Sequence, residues 1–232
     1  MKDLFGKALL DFQNGNYSED IMTSTNISDE DALPIPYLFR DYKDMPKLEQ
    51  KALKLSKGSI LDVGCGSGSH SLYLQKKGFK IKAIDISKGA IEVTKHRGVL
   101  KANVLNILDE TETFDTILLL MNGTGIFQEL TQVSKYLSHL KSLLNPNGQI
   151  LIDSSDIKYM YEDEDGGYWM DMNSSYYGEL DYFLSYKGEK EAPMKWLYLD
   201  FETLKLACET VGLKCELVLE GAHFDYLAQL SL

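Results

Sequence analysis

Ile60-Leu61-Asp62-Val63-Gly64-Cys65-Gly66-Ser67-Gly68 is the stretch from which the rest of the chain can be read. A short apolar run ends in an acid, three glycines then alternate with small residues, and Ser69 to Lys77 continues with helical character. That order is a buried strand entering a tight turn and then a helix. Glycine at alternate positions allows positive φ and lets the backbone approach a bound molecule with no Cβ in the way. The helix that follows has free N–H groups at its start, which favour a carboxylate or phosphate there. The stretch reads as the turn that holds a nucleotide-type cofactor in a Rossmann-like sheet.

The glycine spacing separates two cofactor classes. The dinucleotide pattern G-x-G-x-x-G would need its third glycine at position 69, which is Ser69; the glycines fall instead at 64, 66 and 68. Asp62 also stands where a dinucleotide-binding strand normally buries an apolar residue. Asp62-Val63-Gly64-Cys65-Gly66-Ser67-Gly68 resembles motif I of the class I S-adenosylmethionine-dependent methyltransferases. The resemblance covers roughly Leu53 to Leu230 in topology, with its specific motifs between Ile60 and Asn122. It implies an α/β fold: a Rossmann-like, doubly wound, mostly parallel seven-stranded sheet with an antiparallel last strand. It also implies S-adenosylmethionine as the cofactor.

Composition narrows the partners. The chain has 232 residues, room for one large α/β domain with an insertion, here taken as a single unit over 1–232. A net charge of −11 argues against nucleic acid, whose binding relies on Lys and Arg neutralising phosphates. Cys65, Cys208 and Cys215 form no C-x-x-C, so reduced thiols and a cytoplasmic location are expected. No apolar run approaches membrane-spanning length, so no membrane partner is expected. A monomer or a homodimer is the expected assembly.

Along the chain, Lys2 to Phe12 has helical spacing, Asn14 to Pro36 reads as a polar loop or flap, and Tyr37 to Tyr42 and Pro46 to Leu55 read as helical pieces. Together, residues 1–55 make an N-terminal helical arm. The cofactor-binding core, 56–153, alternates strands at Ser59–Val63, Phe79–Asp85, Val99–Asn103, Phe114–Met121 and Gln149–Asp153 with helices at Ser69–Lys77, Ser87–Arg97 and Phe127–Leu144. Such alternation means a parallel sheet with right-handed crossovers. Asn145-Pro146-Asn147-Gly148 is a turn signal. In 200–232, a helix over Asp200–Val211 precedes strands Leu213–Leu219 and His223–Leu230, whose short link makes them antiparallel. The insertion between, 154–199, holds eleven aromatic residues, including Tyr168 and Trp169, and ten acids against four lysines. Tyr182–Lys187 and Met194–Leu199 read as an added hairpin, and the whole insertion as a lid over the acceptor.

Ligands in such sheets lie beyond the carboxyl ends of the strands. There, Asp85 can accept both ribose hydroxyls, Ile86 can cover one adenine face, and Val104, beside Asn103, can serve as an apolar wall. Asn103 matches the position where the family commonly has an acid touching the adenine amino group; Asn can accept through its side-chain oxygen. By resemblance, Asp62, Gly64, Cys65, Gly66, Gly68 and Met121 border the cofactor, and Tyr37 and Arg40 in the arm can contact its carboxylate. His70 is expected near the cofactor's amino-acid end, and His96 and His139 on helix surfaces. Asn122 can orient an acceptor, and His223, at the carboxyl edge, is the first candidate for a general base. Asp153-Ser154-Ser155-Asp156 offers two carboxylates but no clear third ligand, so a capped strand end is favoured over a metal site. The expected activity is methyl transfer from S-adenosylmethionine to a small-molecule acceptor. An NAD-dependent oxidoreductase and a non-catalytic cofactor-binding protein remain as alternatives.

Overall fold

The computed structural model describes residues 2–162, 165 and 176–232. In chain order it contains α1 (Leu4–Gln13), β1 (Ile21–Thr25), β2 (Ser28–Leu33), α2 (Ile35–Leu38), α3 (Lys47–Leu55), β3 (Ser59–Val63), α4 (Ser69–Lys76) and β4 (Lys80–Asp85). Next come α5 (Lys88–His96), β5 (Ala102–Val104), β6 (Phe114–Leu119), α6 (Val133–Ser142), β7 (Leu144–Ser155), β8 (Glu179–Tyr186), β9 (Glu189–Lys190) and β10 (Met194–Leu197). The chain closes with α7 (Phe201–Thr210), β11 (Lys214–Glu220) and β12 (Asp225–Ser231).

Seven strands form the main sheet in the order β11-β12-β7-β6-β3-β4-β5. Only β12 runs against the others, pairing antiparallel with both β7 and β11. The central runs Ile60–Leu61 and Ile117–Leu119 are fully buried, because a parallel strand with helices on both faces has no solvated side. This is the sheet expected from the sequence. The strand order places the carboxyl ends of β3, β4, β6 and β7 along one edge, where the glycine turn also lies.

The N-terminal arm holds the main departure. Asn14–Pro36 contains the β1–β2 hairpin rather than a loop, and β1 also pairs with β8 of the insertion. With β10 and β9 added, these strands make a second sheet, order β10-β8-β1-β2, with β9 beside β8. The expected hairpin is present, with Met194 opposite Tyr182 and Trp196 opposite Leu180. Residues opposite one another share a face. Along β8, Leu180, Leu184 and Tyr186 are buried, and beneath the last two lies α1, packing Leu4, Ala8 and Leu9 against Ile21, Ala90 and Val93.

The α1 helix is also fastened to α5. Asp3 caps it by accepting the Gly6 N–H (3.0 Å), and its other oxygen accepts the Ser87 hydroxyl (3.0 Å) and the Gly89 N–H (2.9 Å). A Cβ on Gly89 would lie 2.6 Å from the Gly6 backbone, so the two helices cross at the closest approach glycine permits.

Several element ends shift for local reasons. The helix expected from Phe127 starts at Val133, because Gly123–Phe127 and Leu130–Gln132 are 3-10 turns separated by Gln128 at φ +69°. Asn145–Gly148 does not end the sheet; it bulges within β7, whose pairing with β6 jumps from Leu144 to Gln149. The helix expected at Tyr37–Tyr42 is instead α2 followed by a 3-10 turn at Tyr42–Asp44, and the short third strand lies at Ala102–Val104.

Candidate active site

Gly64, Gly66 and Gly68 have φ of +70°, +53° and +82°, which explains glycine at all three. A Cβ on Gly66 would meet nothing nearer than the Phe5 ring at 3.8 Å, so the turn faces open space with α1 at its margin. A Cβ on Gly68 would strike Thr94, which pins the end of the turn to α5. Cys65 is buried, its sulfur 3.8 Å from the Thr94 hydroxyl, and burial raises its pKa. It fills space beneath the turn.

Asp85 ends β4 between the turn and α5. Its Oδ2 accepts the Gly66 N–H at 3.0 Å and its Oδ1 the Ser87 N–H at 2.8 Å. Burial raises its pKa against the pull of those two donors. Each oxygen keeps a lone pair for a hydroxyl. Beside it, Val104 pairs with Asp85 across the strands and is 47% exposed; Ile86 is 67% exposed and Asn103 is exposed. Two exposed apolar side chains next to a fixed carboxylate suit a flat base with an attached ribose. The residues present fit the adenosine half of S-adenosylmethionine.

Asp62 stands apart from the cleft. It is 2% exposed, accepts the Ser71 hydroxyl at 2.6 Å, and has its pKa raised by burial. It braces the start of α4 from below, a correction to its expected place against the cofactor.

Behind the turn lies an ion network that sequence reading only partly anticipated. Glu49 of α3 accepts from Arg40 through Oε1 and sits 2.6 Å from His70 Nε2 through Oε2. Burial pushes the Glu49 carboxyl up, but the His70 bond and the two cations outweigh it and hold it below the ordinary range. Burial pushes the His70 imidazole down, and Glu49 and Asp62 outweigh that, raising it. Arg40 lies over the Tyr37 ring at 3.9 Å and donates to the Tyr37 carbonyl at 2.6 Å. Its Nε is buried with no partner among the described residues. An unpartnered donor there is compatible with the expected contact between Arg40 and a cofactor carboxylate. Glu49 was missed; its signal was an acid on the apolar face of α3, beside Leu48, Ala52 and Leu53.

The turn after β6 is the other half of the cleft. Met121 and Asn122 are both left-handed, at φ +68° and +61°. Asp153 of β7 fixes them, accepting the Met121 N–H through Oδ2 (3.0 Å) and the Gly123 N–H through Oδ1 (2.9 Å). Asn122 spends its side chain internally: Nδ2 donates to the Leu197 carbonyl (3.3 Å) and Oδ1 accepts the Ser154 hydroxyl (3.0 Å). Thr124 Oγ1 donates to the Leu197 carbonyl (3.0 Å), and Ser154 Oγ accepts the Leu199 N–H (3.0 Å). Asn122 therefore ties the turn to the second sheet, which differs from its expected role of orienting an acceptor. Asp156 faces the Tyr177 hydroxyl (2.8 Å) and the Lys158 N–H (2.9 Å), so Asp153 and Asp156 serve separate contacts. Among the described residues, no group of three or more His, Cys, Asp or Glu is placed to hold a metal ion.

The second sheet roofs this half. Trp196 packs on Gly125, where a Cβ would come within 2.2 Å of the indole, and Tyr182 lies 5.6 Å from Trp196 between ring centroids. Burial raises the Tyr198 hydroxyl to about 12, helped by nearby Tyr182 and Tyr159. Other insertion aromatics serve packing: Tyr176 donates to Asp200 at 2.5 Å, and Tyr186 is buried on α1. Tyr168 and Trp169 lie outside the described residues. His223 is exposed in the turn before β12, next to the Phe224–Tyr159 stack at 5.0 Å, with its N–H on Asp225 Oδ1 (3.0 Å). His70 lies in the ion network, His96 is exposed at the end of α5, and His139 Nε2 is 2.8 Å from the Ile107 carbonyl.

The comparisons with known proteins agree with this geometry. A family described as "Methyltransferase domain" matches residues 37–218. An S-adenosylmethionine-dependent methyltransferase from Bacteroides fragilis, solved in complex with S-adenosyl-L-homocysteine, is 45% identical over 100% of this chain and 95% of its own, with a TM-score of 0.93. A ubiquinone biosynthesis O-methyltransferase of Rickettsia conorii is 30% identical over 116 residues, 47% of this chain and 38% of that protein. The match thus spans well under half of that curated relative's length. A methyltransferase structure from Clostridium acetobutylicum (16% identity, TM-score 0.59, covering 83% of this chain and 92% of its own) shares the fold. No helix among the described residues is long and apolar enough to cross a membrane. The chain belongs to the class I S-adenosylmethionine-dependent methyltransferases.

Proposed function

We propose that this methyltransferase acts on a small-molecule acceptor held between the Met121–Gly125 turn and the underside of the second sheet. One observation carries the reading: Tyr182 and Trp196 of the sheet, with Tyr198 just beyond β10, gather at that end, and Trp196 is seated on Gly125. A roof of aromatic side chains over a narrow cleft favours a compact acceptor with an apolar, aromatic or cationic portion. The net charge of −11 disfavours RNA or DNA.

When bound, S-adenosylmethionine supplies a methyl group on an electrophilic sulfonium. The chain's own task is alignment: Asp85 fixes the ribose end, Arg40 the carboxylate end, and the Met121–Gly123 turn borders the transferring methyl. His223, exposed at the cleft rim, is the group available to take a proton from an acceptor that must lose one.

The test is label transfer from methyl-labelled S-adenosylmethionine to a panel of phenols, amines and carboxylic acids, run beside total RNA and denatured protein. Label is expected in one small-molecule class. Label confined to RNA or protein would overturn the reading.

A further inference from the structure

Asp153 poses a question of charge. The residue is buried (8% exposed), its carboxyl receives two backbone N–H groups, and among the described residues it forms no ion pair. The charged and titratable groups that bear on it are Glu49 on α3, His70 on α4 and Tyr37 on α2. Glu49 is already bonded to both His70 and Arg40, so those two groups have their own partner. A buried carboxylate without its own cation is costly. The N–H groups it holds belong to the turn that borders the cleft.

We propose that Asp153 is the counter-charge for the cofactor's sulfonium, acting through the Met121–Gly123 turn, so that the cleft prefers methylated, cationic cofactor to its neutral product. The inference rests on the site proposed above. In the transfer, an acceptor lone pair bonds the methyl carbon and the C–S pair returns to sulfur, which becomes a neutral thioether. S-adenosylmethionine therefore meets a carboxylate that needs a cation, and S-adenosylhomocysteine leaves it unmatched. Product release is favoured by the same group that helps bind substrate.

Protonation makes this measurable without an acceptor. Burial raises the Asp153 carboxyl to about 6, with Glu49 adding to the rise and the two N–H groups and His70 opposing it. Below that pH the charge is gone and the preference goes with it. Near pH 6, a cation arriving beside Asp153 lowers its pKa, and binding expels a fraction of one proton.

The experiment is calorimetry of wild type and Asp153→Asn with S-adenosylmethionine and with S-adenosylhomocysteine, at pH 5.5, 6 and 7.5, in two buffers of different ionisation heat. In wild type, the preference for S-adenosylmethionine at pH 7.5 should exceed that at pH 5.5 by about threefold to tenfold. Near pH 6 only S-adenosylmethionine should release the extra proton, since His70 and the amino-acid end respond alike to both ligands. Asp153→Asn should bind both ligands with a preference that no longer varies with pH. Equal proton release by the two ligands in wild type overturns the proposal, and that measurement stands even where the variant fails to fold. An unchanged, pH-dependent preference in the variant overturns it as well. Failure of wild type to bind either ligand would remove the site itself and the inference with it.

Discussion

At the scale of single residues, the carboxylates divide by what surrounds them. Asp85 is held by two N–H groups yet keeps lone pairs toward the cleft. Asp85→Ala should leave ribose hydroxyls unpaired, at about 1–3 kcal/mol. Calorimetry should then show S-adenosylhomocysteine affinity down about tenfold to a hundredfold, with the far-ultraviolet spectrum unchanged. Glu49 is different, because it joins α3 to α4 through His70 and to the arm through Arg40. Glu49→Gln leaves the Arg40 guanidinium without its buried partner and should cost about 3–5 kcal/mol in urea unfolding. The raised His70 pKa means its contribution is complete below the unfolded value near 6.5 and fades as pH climbs through the folded value. The lowered Glu49 pKa means its contribution is complete above 4.5 and fades as pH falls through its folded value. Asp153 runs the other way: its raised carboxyl favours folding at low pH and weighs against it as pH rises through about 6. Stability of Glu49→Gln should therefore lose the wild-type decline above neutrality.

At the scale of elements, α1 is a strap between the glycine turn and the second sheet. Its closest crossing is Gly6 on Gly89. Gly89→Ala should push α1 from α5 and cost about 1–3 kcal/mol, seen as a lower melting temperature and faster amide exchange along Leu4–Gln13. Weakened cofactor binding should accompany it, since Phe5 sits at the margin of the turn. Sequence made the main sheet legible: apolar runs ending in Asp62 and Asp85, with glycine turns between, admit one reading. The β1–β2 hairpin was not legible. Ser28-Asp29-Glu30-Asp31-Ala32-Leu33 has the composition of a loop, and its strand state comes from pairing with β1 at an exposed edge. The role of Asp153 was hidden similarly, because its meaning depends on two N–H groups 32 and 30 positions away. Trp196 over Gly125 depends on chain segments that no local pattern connects.

At the scale of the whole molecule, the proposed function divides the site between two sheets, the main sheet carrying the cofactor and the second sheet covering the acceptor. Trp196→Ala tests that division. Cofactor affinity should change little, while methyl transfer to the acceptor class identified by label should fall about tenfold to a hundredfold through lost alignment. A parallel loss of cofactor affinity would place the indole on the other side of the division.

The second sheet also sets a schedule for biosynthesis. Asn26 in the β1–β2 turn and Asp181 of β8, joined by a hydrogen bond, stand 155 residues apart in sequence. At ribosomal speeds of about 5–20 residues per second, the first hairpin waits roughly 8–30 s for its neighbour. During that interval both of its edges are open, and a nascent chain with an open edge is a template for its neighbours on the same message. Asp29, Glu30 and Asp31 line one of those edges. The acids that disguise the strand as a loop guard the β2 edge on the ribosome and afterwards, by repelling the same strand in another chain, because β8 on its arrival covers only the β1 edge.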